Sequence, residues 1–299
     1  NKDKHTMQTK SFLKSLAILS APLLFYCIPL FLGYAWNTIG PGVGPPNIYT
    51  QPELYSGRHA DGSLSIDILT PSIYNLPYDV RFRQYIKEGY LPLWNSDQAL
   101  GIPFSAQGEG SPYFPLQILR SVLPLIYANY VTFLGFFLAA IFLFLFLKDM
   151  GISEIASYIG SFSFILSGAL GAMIPVTNVV SSLSVVPFLF WAAARAVNLR
   201  TPFWRSLLSV AVAAQILAGH TQMAFVILLS AIVFSLYHIK VATVTFSRFM
   251  HETIIITAYF LLGIGLSSFL VFPILETLNV THRPGNEGLG FYFLPVSHL

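Results

Sequence analysis

Long apolar runs separated by short polar breaks make up most of the chain, and one polar-rich stretch interrupts them. The runs lie at residues 15–36, 126–147, 155–174, 179–197, 206–218, 224–237 and 254–272. A helix rises 1.5 Å per residue, so about 20 apolar residues cross a hydrocarbon core of about 30 Å. The pattern therefore predicts about seven transmembrane helices, 206–218 being the shortest. Pro22 and Pro29 fall inside the first run, where a membrane helix tolerates them as kinks. Between the first two runs, residues 37–125 form the polar-rich stretch. Its Gly- and Pro-rich beginning, 37–52, has no helical period. Residues 81–88 predict a short amphipathic helix ended by Gly89. Residues 112–125 have an interfacial character, with Tyr113, Phe114 and Arg120 beside leucines. The expected fold is an all-α polytopic membrane protein, one module over 1–299, with a large extracytoplasmic first loop carrying short amphipathic helices.

Composition agrees with that pattern. Charged residues are 10% of the chain and apolar ones 55%, whereas a soluble domain carries about 25% charged residues. There is no basic stripe, which argues against a nucleic-acid partner. The single cysteine, Cys27, lies in an apolar run, so no intrachain disulfide or cysteine-based metal cluster can form. The first apolar run is too long for a signal-peptide core and no clear cleavage site follows it, so it reads as a retained anchor. The chain starts at Asn1 and is expected to be a piece of a longer protein.

Charge placement adds a topology. Lys10, Lys14, Lys148, Arg195, Arg200, Arg205, Lys240 and Arg248 fall in short segments on the side of the N-terminus, which the positive-inside rule makes cytoplasmic. Glu53, Asp61, Asp67, Asp79, Glu88, Asp97, Glu109, Glu276 and Glu287 fall on the opposite side.

That outer side also collects the candidate chemistry. A carboxylate near a lipid–water boundary serves as a general base if its surroundings raise its pKa toward neutrality. Asp67, in the apolar context SIDIL, is the first candidate; a solvated loop acid or helix cap is the plain alternative. Asp79 has Arg81, Arg83 and Lys87 close by to pair with it. Glu109 sits between two glycines in QGEGSP, either presented on a loop or part of an ordinary turn. Two carboxylates on one loop leave a divalent cation open, although no D-x-D is present. Gly219-His220-Thr221-Gln222 interrupts two apolar runs, where polar residues have either a function or a helix-packing role. Arg283, in THRPG, is placed either to hold a phosphate or to snorkel to the interface. No G-x-S-x-G, Walker A or H-E-x-x-H motif is present. Gly168 and Gly171 read as a helix-packing face rather than a nucleotide loop.

Several of these stretches together carry a resemblance: the outer loop with Asp67, EGYLPLWN at 88–95, LGIPFSA at 100–106, YFP at 113–115, LAGHTQ at 217–222 and FPILETLNVTHR at 272–283. In this order they resemble the YfhO-like bacterial membrane proteins, of the GT-C type of integral membrane glycosyltransferases. The resemblance implies an enzyme that takes a sugar from a polyprenyl-phosphate carrier on the outer face of the cytoplasmic membrane. The acceptor would be a glycopolymer, lipid or protein of the cell envelope. It also implies that Asp67 is the catalytic carboxylate. Because Asp67 lies a few residues farther from Pro77-Tyr78 than in the family pattern, Asp79 is the second candidate. Trp94 would stack on a sugar face, with Glu109 and Gln222 also among the substrate contacts. Arg283, with His220, would steady the phosphate, and the transfer would invert the anomeric centre. A flippase or transporter of lipid-linked precursors is the main rival expectation. An envelope acyltransferase is the second, although it would need a paired His and Asp deep in the membrane.

Overall fold

The computed structural model of the chain describes residues 2–32, 74–96, 101–124, 127–243 and 245–280. It is helical apart from one small hairpin. Helix α1 (Lys2–Phe31) is followed by α2 (Leu76–Glu88), a two-stranded antiparallel hairpin of β1 (Trp94–Asn95) and β2 (Ile102–Pro103), a single 3-10 turn (Ser105–Gln107) and α3 (Pro115–Val122). Then come α4 (Ala128–Asp149), α5 (Glu154–Ile165), α6 (Gly168–Ala172), α7 (Thr177–Leu199), α8 (Pro202–Leu217), α9 (Thr221–Ala242), α10 (Phe246–Leu266) and α11 (Ser268–Val280).

Among the described residues, six helical stretches are long and apolar enough to cross a bilayer: Leu13–Phe31, Ala128–Asp149, Glu154–Ala172, Thr177–Leu199, Thr221–Ala242 and Phe246–Leu266. The chain is thus a multi-pass helical membrane protein. The expected seventh span corresponds to α8, whose 16 residues reach only about 24 Å. It packs chiefly against α7 and α10, with Leu208, Ala211 and Val212 wholly buried. Protein rather than lipid surrounds this face, so its length is not tied to the bilayer. Two other expected spans are broken. The run at 155–174 divides into α5 and α6 at Leu166-Ser167, where Ser167 caps the new helix by accepting from the Leu170 N–H. The Tyr26 hydroxyl of α1 donates to the Ile165 carbonyl at that break, at 2.8 Å. The run at 254–272 divides at Ser267, leaving α11 to rest against the 3-10 turn.

Two apolar cores hold the bundle. In one, the alanine face of α7 (Ala192, Ala193, Ala196) admits α8 closely, and Ala231, Ile239, Ile256 and Phe260 from α9 and α10 close the remainder. In the other, Leu19 and Tyr26 of α1 meet Phe133, Phe136 and Ala140 of α4 and Ile165 of α5. Ion pairs tie one end of the bundle. Arg195 grips Asp149 through two nitrogens and lies over the rings of Trp191 and Trp204. Glu252 faces Arg205 at 2.7 Å and Arg200 at 3.6 Å. Asp149 and Glu252 are thus acids placed among the arginines of this end, where the sequence reading counted only cations.

The opposite end carries a cover built from α2, the hairpin, the 3-10 turn and α3. Its core is aromatic: Tyr74, Tyr78, Phe82 and Tyr85 recur along α2 and its leading turn and gather around Phe104. Tyr78 and Phe104 stack with ring centres 4.2 Å apart. Gly89 ends α2 with φ of 73°, as the sequence predicts, and Arg83 closes the end of α3 by donating to the carbonyls of Arg120 and Leu123.

Candidate functional site

The cover and one inter-helix tip meet through main chain. Ala218 ends α8 and His220 caps α9, so residues 219–221 form a tight reversal pointing at the cover. The Thr221 N–H and hydroxyl both donate to the Gly108 carbonyl, at 3.1 and 2.5 Å. Gly219 has φ of 88°, and a Cβ there would lie 2.4 Å from the Gly110 carbonyl oxygen. Gly110 in turn lies against the Tyr78 ring; a Cβ on it would meet the phenol at 2.2 Å. Only glycine at both positions allows this approach. The cover is also joined to the bundle by Asn75, whose amide donates to the Pro175 carbonyl at 3.3 Å, and by Phe114, buried against Val185 and Ala218.

This junction brings Glu109 and His220 to the same place, although they are far apart in sequence. Glu109 is exposed, and its negative charge, after burial, helps hold the Tyr74 phenol above the ordinary tyrosine range. His220 is half-buried, and its Nδ1 accepts the Met223 N–H at 3.3 Å, which leaves the ring proton on Nε2. Gln222 is exposed on the first turn of α9, and Glu276 is exposed on α11. Trp94 is 56% exposed. One side of its indole lies over Gly101, and the Tyr85 hydroxyl holds its carbonyl. With Tyr90, Leu91 and Leu93 it forms an exposed apolar rim on the cover.

Asp79 is placed differently from the expectation. Its carboxylate is buried, and Arg120 Nη2 sits 2.8 Å from Oδ2. Gln117 Nε2 donates to Oδ1 at 2.7 Å. The partner expected from the sequence was Arg81, Arg83 or Lys87. Those three follow Asp79 on its own helix, whereas Arg120 and Gln117 reach across from α3, one turn apart. Arg81 instead lies over the Tyr85 ring and bonds Gln84, and Arg83 caps α3. With both oxygens engaged, Asp79 fastens α2 to α3. Asp67 and Arg283 lie outside the described residues. No group of three or more His, Cys, Asp or Glu converges among the described residues to hold a metal.

Sequence reasoning missed Tyr74 and Tyr78, whose hydroxyls are buried beside the Glu109 turn with no hydrogen-bond partner among the described residues. Burial is the first cause that holds both phenols protonated, and nearby negative charge adds to it. Their spacing, four residues apart and continued by Phe82 and Tyr85, was a legible signal for one packed helical face. The whole defines a multi-pass membrane protein with a folded cover clamped at one end by glycine contacts. Comparison of the chain with family models, curated proteins and solved structures returns no match.

Proposed function

We propose that the chain is the membrane module of a GT-C-type glycosyltransferase. It would move a sugar from a polyprenyl-phosphate donor to a cell-envelope acceptor on the outer face of a bacterial cytoplasmic membrane. The observation that carries this reading is the docking of the Glu109 turn onto the His220 tip. The turn between LGIPFSA and YFP and the LAGHTQ segment, 113 residues apart at their contact, thereby share one end of the bundle. The exposed indole of Trp94, on the same cover, suits stacking on a sugar ring.

In this mechanism Asp67 takes the proton from the acceptor hydroxyl as its oxygen forms a bond to the anomeric carbon. The bond from that carbon to the phosphate oxygen breaks, and the electron pair leaves with the polyprenyl phosphate. Arg283 and the Nε2–H of His220 balance the charge growing on the phosphate. A single displacement of this kind inverts the anomeric centre. Asp79 keeps its holding role, and a divalent cation is a variable for the assay.

The test is transfer from a lipid-linked sugar by the full chain and by Asp67→Asn. Loss of general-base catalysis predicts a fall of about 10²–10⁴-fold. Unchanged transfer would remove Asp67 as the base. Failure of the wild type to transfer to any acceptor, with lipid-linked substrate still moved across vesicles, would favour a flippase.

A further inference from the structure

Below the Asp79–Arg120 pair, the inner face of α3 and the first turns of α4 and α7 enclose a half-open polar cavity of about 20 Å³. Gln117, Arg120, Thr132, Ser181 and Ser184 contribute its polar wall, and Gly135 its floor. Two of these groups are buried without a partner. The Arg120 Nε–H has none, although its Nη2 is paired with Asp79. The Ser184 hydroxyl, on a residue only 6% exposed, has none either. A buried guanidinium N–H can only donate, and leaving it unmet in a membrane protein is costly. Among the described residues, the Arg120 Nε–H therefore lacks an acceptor.

Charge favours an anionic one. Arg120 turns its Nη2 to the Asp79 carboxylate, and Arg83 brings a second guanidinium to the carbonyls at the end of α3. The position adds a second constraint. α3 leaves Ile118, Leu119 and Val122 exposed on its other face, as a helix lying in a bilayer interface does. A cavity of this volume admits one or two oxygen atoms rather than a whole headgroup.

From these features we infer that the niche seats the oxygens of a phosphoryl group, with the phosphorus at its mouth. Arg120 Nε–H and Ser184 O–H are the donors, and Gly135 is the residue that leaves the space open. A Cβ on Gly135 would come 3.5 Å from Ser184 Oγ and 3.2 Å from Leu116. The phosphate comes from a membrane lipid or from solution. Neither source depends on glycosyl transfer, so this site stands or falls apart from the catalytic reading.

The experiment measures binding to the full chain in detergent, at constant ionic strength, of dihexanoyl phosphatidic acid, inorganic phosphate and dihexanoylglycerol. Ser184→Ala removes one donor while leaving the Asp79–Arg120 pair in place, and Gly135→Val fills the niche. Loss of one hydrogen bond to a charged group corresponds to roughly a tenfold or greater rise in Kd. The expected result is phosphatidic acid binding that weakens by about that factor in Ser184→Ala and more in Gly135→Val, with dihexanoylglycerol not bound. Equal binding of inorganic phosphate, with the same loss in both variants, assigns the site to free phosphate. Should Gly135→Val fail to fold, Ser184→Ala decides by itself. Binding of phosphatidic acid unchanged by Ser184→Ala, or matched by dihexanoylglycerol, overturns the site and leaves the niche to water.

Discussion

Replacing Asp79 by Ala tests whether the cover is held to its own scaffold by charge. Asp79 and Arg120 have side chains only 8% and 14% exposed, so solvent screens the pair weakly. Removing the carboxylate leaves a buried guanidinium unmatched and frees the Gln117 amide as well. Breaking a buried pair in this way costs about 3–5 kcal/mol. Most of that cost falls on the contact between α2 and α3, because Gly89, the aromatic core and the tip contact are untouched. Hydrogen exchange of the α2 amides therefore accelerates by about a hundredfold or more in Asp79→Ala, while amides of α7 and α8 keep their protection. The double variant Asp79→Leu/Arg120→Met replaces the pair by apolar groups of comparable size and restores most of the α2 protection. Unchanged α2 exchange in the single variant would refute the holding role. So would a collapse of transfer in Asp79→Asn with cover exchange unaltered, which would make this carboxylate chemical.

Four further outcomes follow from named contacts. Gly219→Ala strains a left-handed residue by about 1–2 kcal/mol and drives a Cβ toward the Gly110 carbonyl; protease cutting between residues 105 and 111 should increase, and unchanged cutting would exclude the clamp. Tyr74 and Tyr78 titrate above the ordinary tyrosine value of about 10, since burial favours their neutral form. Their raised folded values mean that this stability is complete below about pH 10 and is lost as pH rises further; absorbance at about 295 nm should show a late phase that Tyr74→Phe and Tyr78→Phe remove. Trp94→Ala, at a largely exposed ring, should change stability by no more than about 0.5 kcal/mol and still weaken sugar transfer. Tyr26→Phe leaves the Ile165 carbonyl without its hydroxyl donor at the break between α5 and α6, costing about 1 kcal/mol, which thermal unfolding in micelles would register.

The helical membrane class was readable because apolar runs of bilayer length have few other uses. The Gly89 end of α2 was equally plain, since capping is local chemistry, although the helix begins at Leu76, five residues before the expected start. Span count was harder. Helix α8 buries one face against α7 and α10, and a hydropathy window cannot tell such a face from one that meets lipid. The breaks at Ser167 and Ser267 escaped notice because serine inside an apolar run barely lowers its hydropathy. The partner of Asp79 was missed for a different reason. Proximity in sequence suggested Arg81 and Arg83, but Arg81 is taken up by Gln84 and the Tyr85 ring and Arg83 by the carbonyls at the end of α3, and Arg120 comes in from α3 instead. The approach of Glu109 to His220 was visible only as a shared outer side. Their actual docking depends on carbonyls and amides, which have no letter in a sequence.

That last feature has a bearing on how such a chain can vary. A joint made from the Gly108 carbonyl, Thr221 and the bare α-carbons of residues 110 and 219 makes no use of the Glu109 side chain. Glu109 can therefore be exchanged for other groups while the mount beneath it stays the same, whereas an exchange at His220 also has to replace its cap on α9. In a library covering every substitution from residue 105 to residue 223, the columns at 110 and 219 should be nearly empty while that at the exposed Glu109 fills. The mount would be fixed, and the chemistry set on it would be free to change.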